Sequence, residues 1–446
     1  MYLAADGKGR VRRRNPVDYL NNDMKKIEKL APVQSVMYRS PDPEQAFTYS
    51  PGICALPSGR LIGTLDMMGP GVSFMEEHTS FVNGKPLIGK VFVSDDCGKS
   101  WKFRKNFGFI FARPFEANGV LYLLGQNGDL MIMKSEDEGD TWSDPVRLTD
   151  GACWHQAPCN VWYANGNVYL VMEKMLYRDC HAWEPSVYAP VLMRAALKSD
   201  LMCRSSWSFS STAAFRDLVN REDIHYFAVP FFDVADKEAK IVCEAPTLRK
   251  IAPIGWLETN VVQFTDPRHI WCDPSGHTFH LWMRAHTGGT GYAAIMKVTE
   301  REDGSMALDY ERAPSGKKVV FVPCPGGQMK FHILYDTIGG LFWLLSTQAT
   351  DSMLRPEMMP PERFDLPNNE RQRLTLHFSK NCIDWCFAGL VDAVDSPKMS
   401  RSYASMAILG DDLIILSRSG DEQAVSAHNG NMITCHCVEN FRDLVY

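Results

Sequence analysis

The 446-residue sequence contains no apolar run of about 18 residues, so no segment reads as a membrane-spanning helix. It also lacks a CxxC pair and any zinc-type spacing. Its 13 cysteines are scattered and odd in number, the closest pairs being Cys435/Cys437, Cys382/Cys386 and Cys153/Cys159. Cys435 and Cys437 would share one side of a strand as core thiols, and this usage fits a reducing compartment. His181, His269, His277 and His286 show no ligand spacing, so neither a metal nor a cofactor is expected. Basic charge is scarce as well. The formal net charge is −6, and the one basic run, Arg10 to Arg14, is short enough to be a solvated arm. That balance disfavours nucleic acid and anionic membranes as partners. The opening residues MYLAADGKGR have no apolar h-region, from which a cytoplasmic location is expected.

What is present is short and repetitive. Residues 17–31 place Val17, Leu20, Met24, Ile27 and Leu30 at helical spacing between Pro16 and Pro32, which predicts an amphipathic helix closing an N-terminal arm, 1–32. From 33 to 446 the pattern becomes period-two apolar runs separated by Gly, Asn and Asp turns. One two-strand template recurs at 49–66, 112–125, 155–173, 256–284, 330–346 and 401–417. Such units stack as propeller blades, each burying the face its neighbour cannot bury alone. Six four-stranded antiparallel blades are expected; the long 155–256 interval leaves room for a seventh. Residues 35–40 could pair with 431–437 to close the ring. Residues 215–255 and 350–372 read as insertions between blades.

The turn expected between the third and fourth strands repeats a specific motif: VSDDCGKSW at 93–101, KSEDEGDTW at 134–142 and a degraded FSKNCIDW at 378–385. Asp and Ser side chains can bond the turn backbone, Gly98 and Gly139 can supply positive φ, and Trp101 and Trp142 can pack between strands. These turns resemble the Asp-box, Ser-x-Asp-x-Gly-x-Thr-Trp, of sialidase-like propellers. HQAP (155–158), WLETN (256–260), PGGQMKF (325–331), ILSR (415–418) and HNGN (428–431) are similar to bacterial sialidase-like proteins. The resemblance covers residues of about 45 to 446 and implies the fold and a glycan-directed activity, with the boxes structural and away from the chemistry. HTFHLWMR, ending at Arg284, looks like the strand carrying a second sialidase arginine. Tyr49-Ser50-Pro51-Gly52 stands where that family has Arg-Ile-Pro, so its first carboxylate-gripping arginine is absent; Arg39 in YRSP is a displaced candidate.

In a propeller the starts of the innermost strands converge on one pocket. Tyr49, Arg113, His155, Gln156, Glu258, Asn260, Gln328, Lys330, Arg401 and Tyr403 lie at such starts, and Glu76, Glu77 and His78 lie in a loop that in sialidases carries the acid/base carboxylate. His155 is the first candidate for general acid or base, with a hydrogen-bonded core histidine as the alternative. Glu258 and Glu77 could form a carboxylate pair, or Tyr49 or Tyr403 with Glu258 could imitate the tyrosine nucleophile and glutamate of retaining sialidases. Arg113, Arg284 and Arg401 could grip an acidic sugar, although each alone is more often a salt-bridge partner. Gln156, Asn260, Lys330 and His428 complete the binding candidates. Trp154, Trp183, Trp256 and Trp271 could stack on a sugar or simply pack the core.

These residues point first to an exo-acting glycosidase on an acidic oligosaccharide or polysaccharide, sialidase-like in fold yet departing from a standard sialidase at Ser50. A lyase cleaving beside a uronic acid needs only a His or Tyr base with a carboxylate clamp. A non-catalytic glycan-binding propeller is the third reading, and a protein-interaction scaffold the fourth.

Overall fold

Alternation along single strands decides the architecture. In the strand Leu61–Met68, Leu61 and Leu65 pack toward one neighbouring sheet while Ile62 packs toward the opposite one. Both faces of each sheet are therefore apolar, and sheets of that kind must stack around an axis. The computed structural model describes residues 27–75, 80–82, 84–180, 184–220, 254–287, 289–354, 358 and 369–446, with the backbone of 240–241 and 250–251.

Six antiparallel sheets form a ring of six blades. Their inner strands are Phe47–Ala55, Ile110–Ala117, the split pair Trp154–His155 and Trp162–Ala164, Gly255–Val262, His332–Asp336 and Ser400–Leu409. Each blade runs outward in chain order. The exception is the sixth, whose outermost strand Gln34–Arg39 comes from the beginning of the chain and pairs with Met432–Val438. This is the closure expected from sequence. The 155–256 interval holds no seventh blade among the described residues, because Tyr188–Ala196 and Trp207–Phe209 complete the third. Six apolar clusters fill the six blade interfaces, with Trp256, Trp282 and Trp343 fully buried among them.

Most of the expected N-terminal helix lies outside the described residues. From Ile27 onward the chain is not helical: Lys29 bridges Leu390 in parallel and Ala31 enters the core between blades five and six. Leu30 lies against Gly389, where a Cβ would come within 2.7 Å of its side chain, so docking on the fifth blade overrides the 3.6-residue pattern. Between blades three and four, a one-turn helix at Phe215–Leu218 packs Phe215 against Trp256.

The Asp-box turns behave as local clamps. Ser94 Oγ accepts from the Gly98 N–H at 2.9 Å, Asp96 accepts from the Ser100 N–H at 2.8 Å, and Trp101 Nε1 donates to the Gly98 carbonyl at 3.1 Å. The same three bonds recur at Ser135, Asp137 and Trp142, at 2.8, 2.8 and 3.0 Å. Gly98 at φ 82° and Gly139 at φ 90° take the left-handed backbone these turns require. In the degraded copy Asn381 accepts from the Ile383 and Asp384 N–H groups, while Trp385 Nε1 finds no acceptor. A further variant in blade three, where Trp207 Nε1 donates to the Leu201 carbonyl, escapes the sequence pattern because its turn is longer.

Candidate functional site

The inner strands are not regular where they approach the axis. Register shifts interrupt the ladders between Ile110 and Arg113, Leu257 and Asn260, and Ser402 and Ser405, and Phe111, Glu258 and Tyr403 take φ of 55°, 60° and 52°. In an unbroken strand, residues two apart share a face; a bulge separates them. Phe111, Glu258 and Tyr403 line the axial cavity, whereas Arg113, Asn260 and Ser405, two positions on, turn into the seams between blades.

Those seams explain several residues expected in the site. Thr64 Oγ1 donates to the Ala112 carbonyl at 2.6 Å, joining blades one and two, and a Cβ on Gly52 would stand 2.6 Å from that same oxygen. Arg113 donates to the carbonyls of Asn160 and Val171, joining two and three. Asn160 exchanges two bonds of 2.7 Å with Val261 across the next junction. Asn260 donates to the Phe331 carbonyl at 3.2 Å and accepts from the Ile333 N–H at 3.0 Å. His332 Nδ1 accepts from the Met406 N–H, and Ser405 Oγ donates to the Pro51 carbonyl, completing the circle. Lys330 donates to the Ala404 carbonyl and to Ser405 Oγ; burial pulls its ammonium down to about 8. Gln156 donates to Glu173 and to the Thr259 carbonyl. Arg113, Gln156, Asn260 and Lys330 are thus spent on interblade bonds below the cavity, not on its wall. Arg401 is likewise elsewhere: its Nε bonds Asp392 at 2.6 Å and its Nη1 bonds two carbonyls, so the shared pocket expected for it with His155 and Glu258 does not form. Arg39 pairs with Asp421 and leaves the axis too.

The cavity itself, about 600 Å³, gathers Tyr49, His155, Glu258, Tyr403, Arg418 and His428. Glu77, with Glu76 and His78, lies outside the described residues, as does Trp183. Arg284 sits at the base, where one Nη1 donates both to Tyr403 Oη at 2.6 Å and to Glu258 Oε2 at 3.3 Å, while its Nε donates to the Gln328 carbonyl. Burial pushes the Tyr403 phenol up, Arg284 opposes this and Glu258 adds to it. Burial pulls Arg284 down, but Tyr403 and Glu258 outweigh it and the net direction is upward.

Two more arginines flank Tyr403. Arg371 lies 5.1 Å and Arg418 5.2 Å from its ring centre, and both are almost fully buried. Neither is paired with a carboxylate among the described residues, and Arg371 Nε and Nη1 and Arg418 Nε and Nη2 have no hydrogen-bond partner. Burial lowers both, Arg371 to about 9. Buried guanidinium nitrogens left without acceptors are costly unless an anion completes them. In the sequence Arg418 stands out only as the end of ILSR, and Arg371 falls within the insertion expected at 350–372. The available signal was position, since Arg371 lies just before the strand Arg373–Ser379.

His155 forms part of the wall, its ring stacked on Tyr188 at 5.1 Å and meeting Phe111 edge-on, with Nδ1 3.8 Å from Glu173 Oε2. Tyr49 Oη donates to Asn429 Oδ1, which also meets His428 Nδ1 at 2.9 Å. Behind Tyr49, Asp66 accepts from the Phe111 N–H at 3.0 Å while its second oxygen has no partner; burial raises this carboxyl to about 7. Among the described residues no three His, Cys, Asp or Glu side chains gather as a metal site.

No protein-family model matches this sequence, and no curated protein matches it. Solved structures do. The α-L-arabinanase of Penicillium chrysogenum, complexed with arabinobiose, aligns over 93% of this chain and 100% of its own at 12% identity, with a TM-score of 0.50. The K499G mutant of NanB sialidase from Streptococcus pneumoniae aligns over 96% of this chain and 72% of its own at 11% identity, with a TM-score of 0.51. The fold is that of the sialidase-like propellers. In this sialidase-like ring the arginine expected in blade one is missing at Ser50, and Arg418 of blade six stands beside Tyr49 and Ser50 in the cavity wall.

Proposed function

We propose that this protein is a retaining exo-glycosidase acting on a carboxylate-bearing sugar, with Tyr403 as nucleophile. The observation that carries the reading is the convergence of Glu258, Arg284, Arg371 and Arg418 on one buried tyrosine. The two guanidiniums without hydrogen-bond partners on several nitrogens would hold the substrate carboxylate. Glu258 would take the Tyr403 proton as Oη attacks the anomeric carbon, and Arg284 would stabilise the phenolate charge as it develops. The leaving oxygen requires a proton from the wall, a role we assign to His155, which would then activate the water that cleaves the aryl glycoside formed on Tyr403, while Glu258 returns the proton to the departing phenolate. The sialidase and the arabinanase that share this fold are glycosidases by name, which supports the reaction class; the acidic substrate rests on the arginines.

The test is incubation with a panel of acidic oligosaccharides, scoring new reducing ends and ultraviolet absorbance together, with the product anomer read by proton NMR. Net retention at the anomeric carbon, without an absorbing product, is the expected result. An unsaturated, absorbing product would assign the chemistry to β-elimination instead. Binding without turnover would reduce the propeller to a glycan receptor.

A further inference from the structure

A second hollow lies outward from the axial cavity, between blades two and three. It has a volume of about 560 Å³ and is floored by Trp154 and Phe209, with Arg147, Lys174 and Arg204 around it. The aromatic rings lie 5.9 Å apart between centres. Lys174 Nζ lies 5.9 Å from the Trp154 ring centre, and the Arg204 guanidinium carbon lies 4.0 Å from that of Phe209. Asp150 is the one carboxylate among the described lining residues, and Asp129 lies beside Arg147. Arg147 makes ion pairs of 3.7 Å with Asp129 and 3.8 Å with Asp150, whereas Lys174 and Arg204 have no ion pair among the described residues.

This hollow and the axial one border a common depression. A depression bordered by Cys153, Arg178 and Tyr188 shares His155 with the axial cavity and Trp154 with the outer hollow. The neighbouring residues Trp154 and His155 open the inner strand of blade three, so a single strand end forms the border of all three spaces.

We infer that the outer hollow is a second anion-binding subsite, which takes another acidic sugar unit of the glycan whose terminal unit occupies the axial cavity. The Arg204 guanidinium over Phe209 and the Lys174 ammonium over Trp154 are held by the rings and suit the carboxylate or sulfate of a sugar unit. The volume fits one such unit with its neighbour. This inference rests on the glycosidase reading for the occupant of the axial cavity, and it turns that reading toward substrates carrying charge on successive units.

The test uses the full chain and four probes: tetragalacturonate, a hyaluronan tetrasaccharide, a sialic acid tetramer and a heparin-derived tetrasaccharide, each compared with its acidic monosaccharide by calorimetric titration. At least one tetrasaccharide is expected to bind the wild type more than tenfold tighter than its monosaccharide. Lys174→Glu with Arg204→Glu should erase that advantage and leave monosaccharide binding unchanged. Lys174→Gln, which removes no hydrogen bond seen here, should weaken tetrasaccharide binding several-fold and serves if the double variant fails to fold. Unchanged tetrasaccharide affinity in the Lys174 variants overturns the inference while the axial reading stands. Loss of tetrasaccharide binding in those variants, with no loss in Arg418→Ala, sustains the outer subsite and sinks the axial reading. Absence of binding by any tetrasaccharide overturns both.

Discussion

The guanidinium carbon of Arg418 stands 4.2 Å from the centre of the Tyr49 ring, at the point where the sialidase motif would place an arginine and this chain has Ser50. This cation lies on the second strand of the sixth blade, Asp412–Gly420, and the tyrosine face holds it in place. If Arg418 receives a substrate carboxylate, Arg418→Ala should raise KM about ten- to hundred-fold, the worth of a charge-assisted bond, with a smaller change in kcat. Arg418→Lys should recover part of the loss, because the charge returns without the fork. Steady-state kinetics on the best acidic substrate decides this.

Tyr403→Phe removes one oxygen and leaves the packing with Ala157 and Met329 intact. Turnover should fall by about a thousand-fold or more while the affinity for product changes little. A variant that keeps more than a tenth of wild-type kcat would remove Tyr403 from the reaction.

Asp66 links stability to pH. Its carboxyl is raised from 3.8 to about 7, so between those values the native state holds a proton that the unfolded chain releases. Stability therefore falls as pH rises from about 4 to about 7 and is flat in this respect above, with a total change on the order of a few kcal/mol. Asp66→Asn cannot lose that proton. Relative to wild type, its melting temperature should climb between pH 5 and pH 8; two parallel melting curves across that range would contradict the assignment.

Asn260 makes two bonds across the junction between blades four and five. Asn260→Ala strands the Phe331 carbonyl and the Ile333 N–H in a buried seam and should cost about 2–4 kcal/mol in urea unfolding. It leaves the arginines at Tyr403 in place, so the remaining folded protein should bind an acidic glycan as the wild type does.

The blades were legible because their signals are local: PSG and ANG turns, period-two runs, and boxes whose bonds span four residues. Tyr49, His155, Glu258 and Tyr403 could be found as inner-strand openings for the same reason. The direction in which each opening residue faces was not legible, because it depends on bulges that neighbouring strands impose. Arg113 and Asn260 lie two residues beyond Phe111 and Glu258 yet enter the seams, and no spacing rule separates these fates. Arg371 and Asp66 were missed for a related reason. Their partners lie 32 or more positions away, as Tyr403 does from Arg371 and Phe111 from Asp66, so only the closed ring defines their surroundings.

The sixth blade joins the two extremes of the chain, and that blade holds Tyr403 and Arg418. The strand Gln34–Arg39 is made long before its partner, Met432–Val438, and its edge stays open until that partner arrives. The surroundings of Tyr403 and Arg418 are therefore complete only once that pairing shuts the ring.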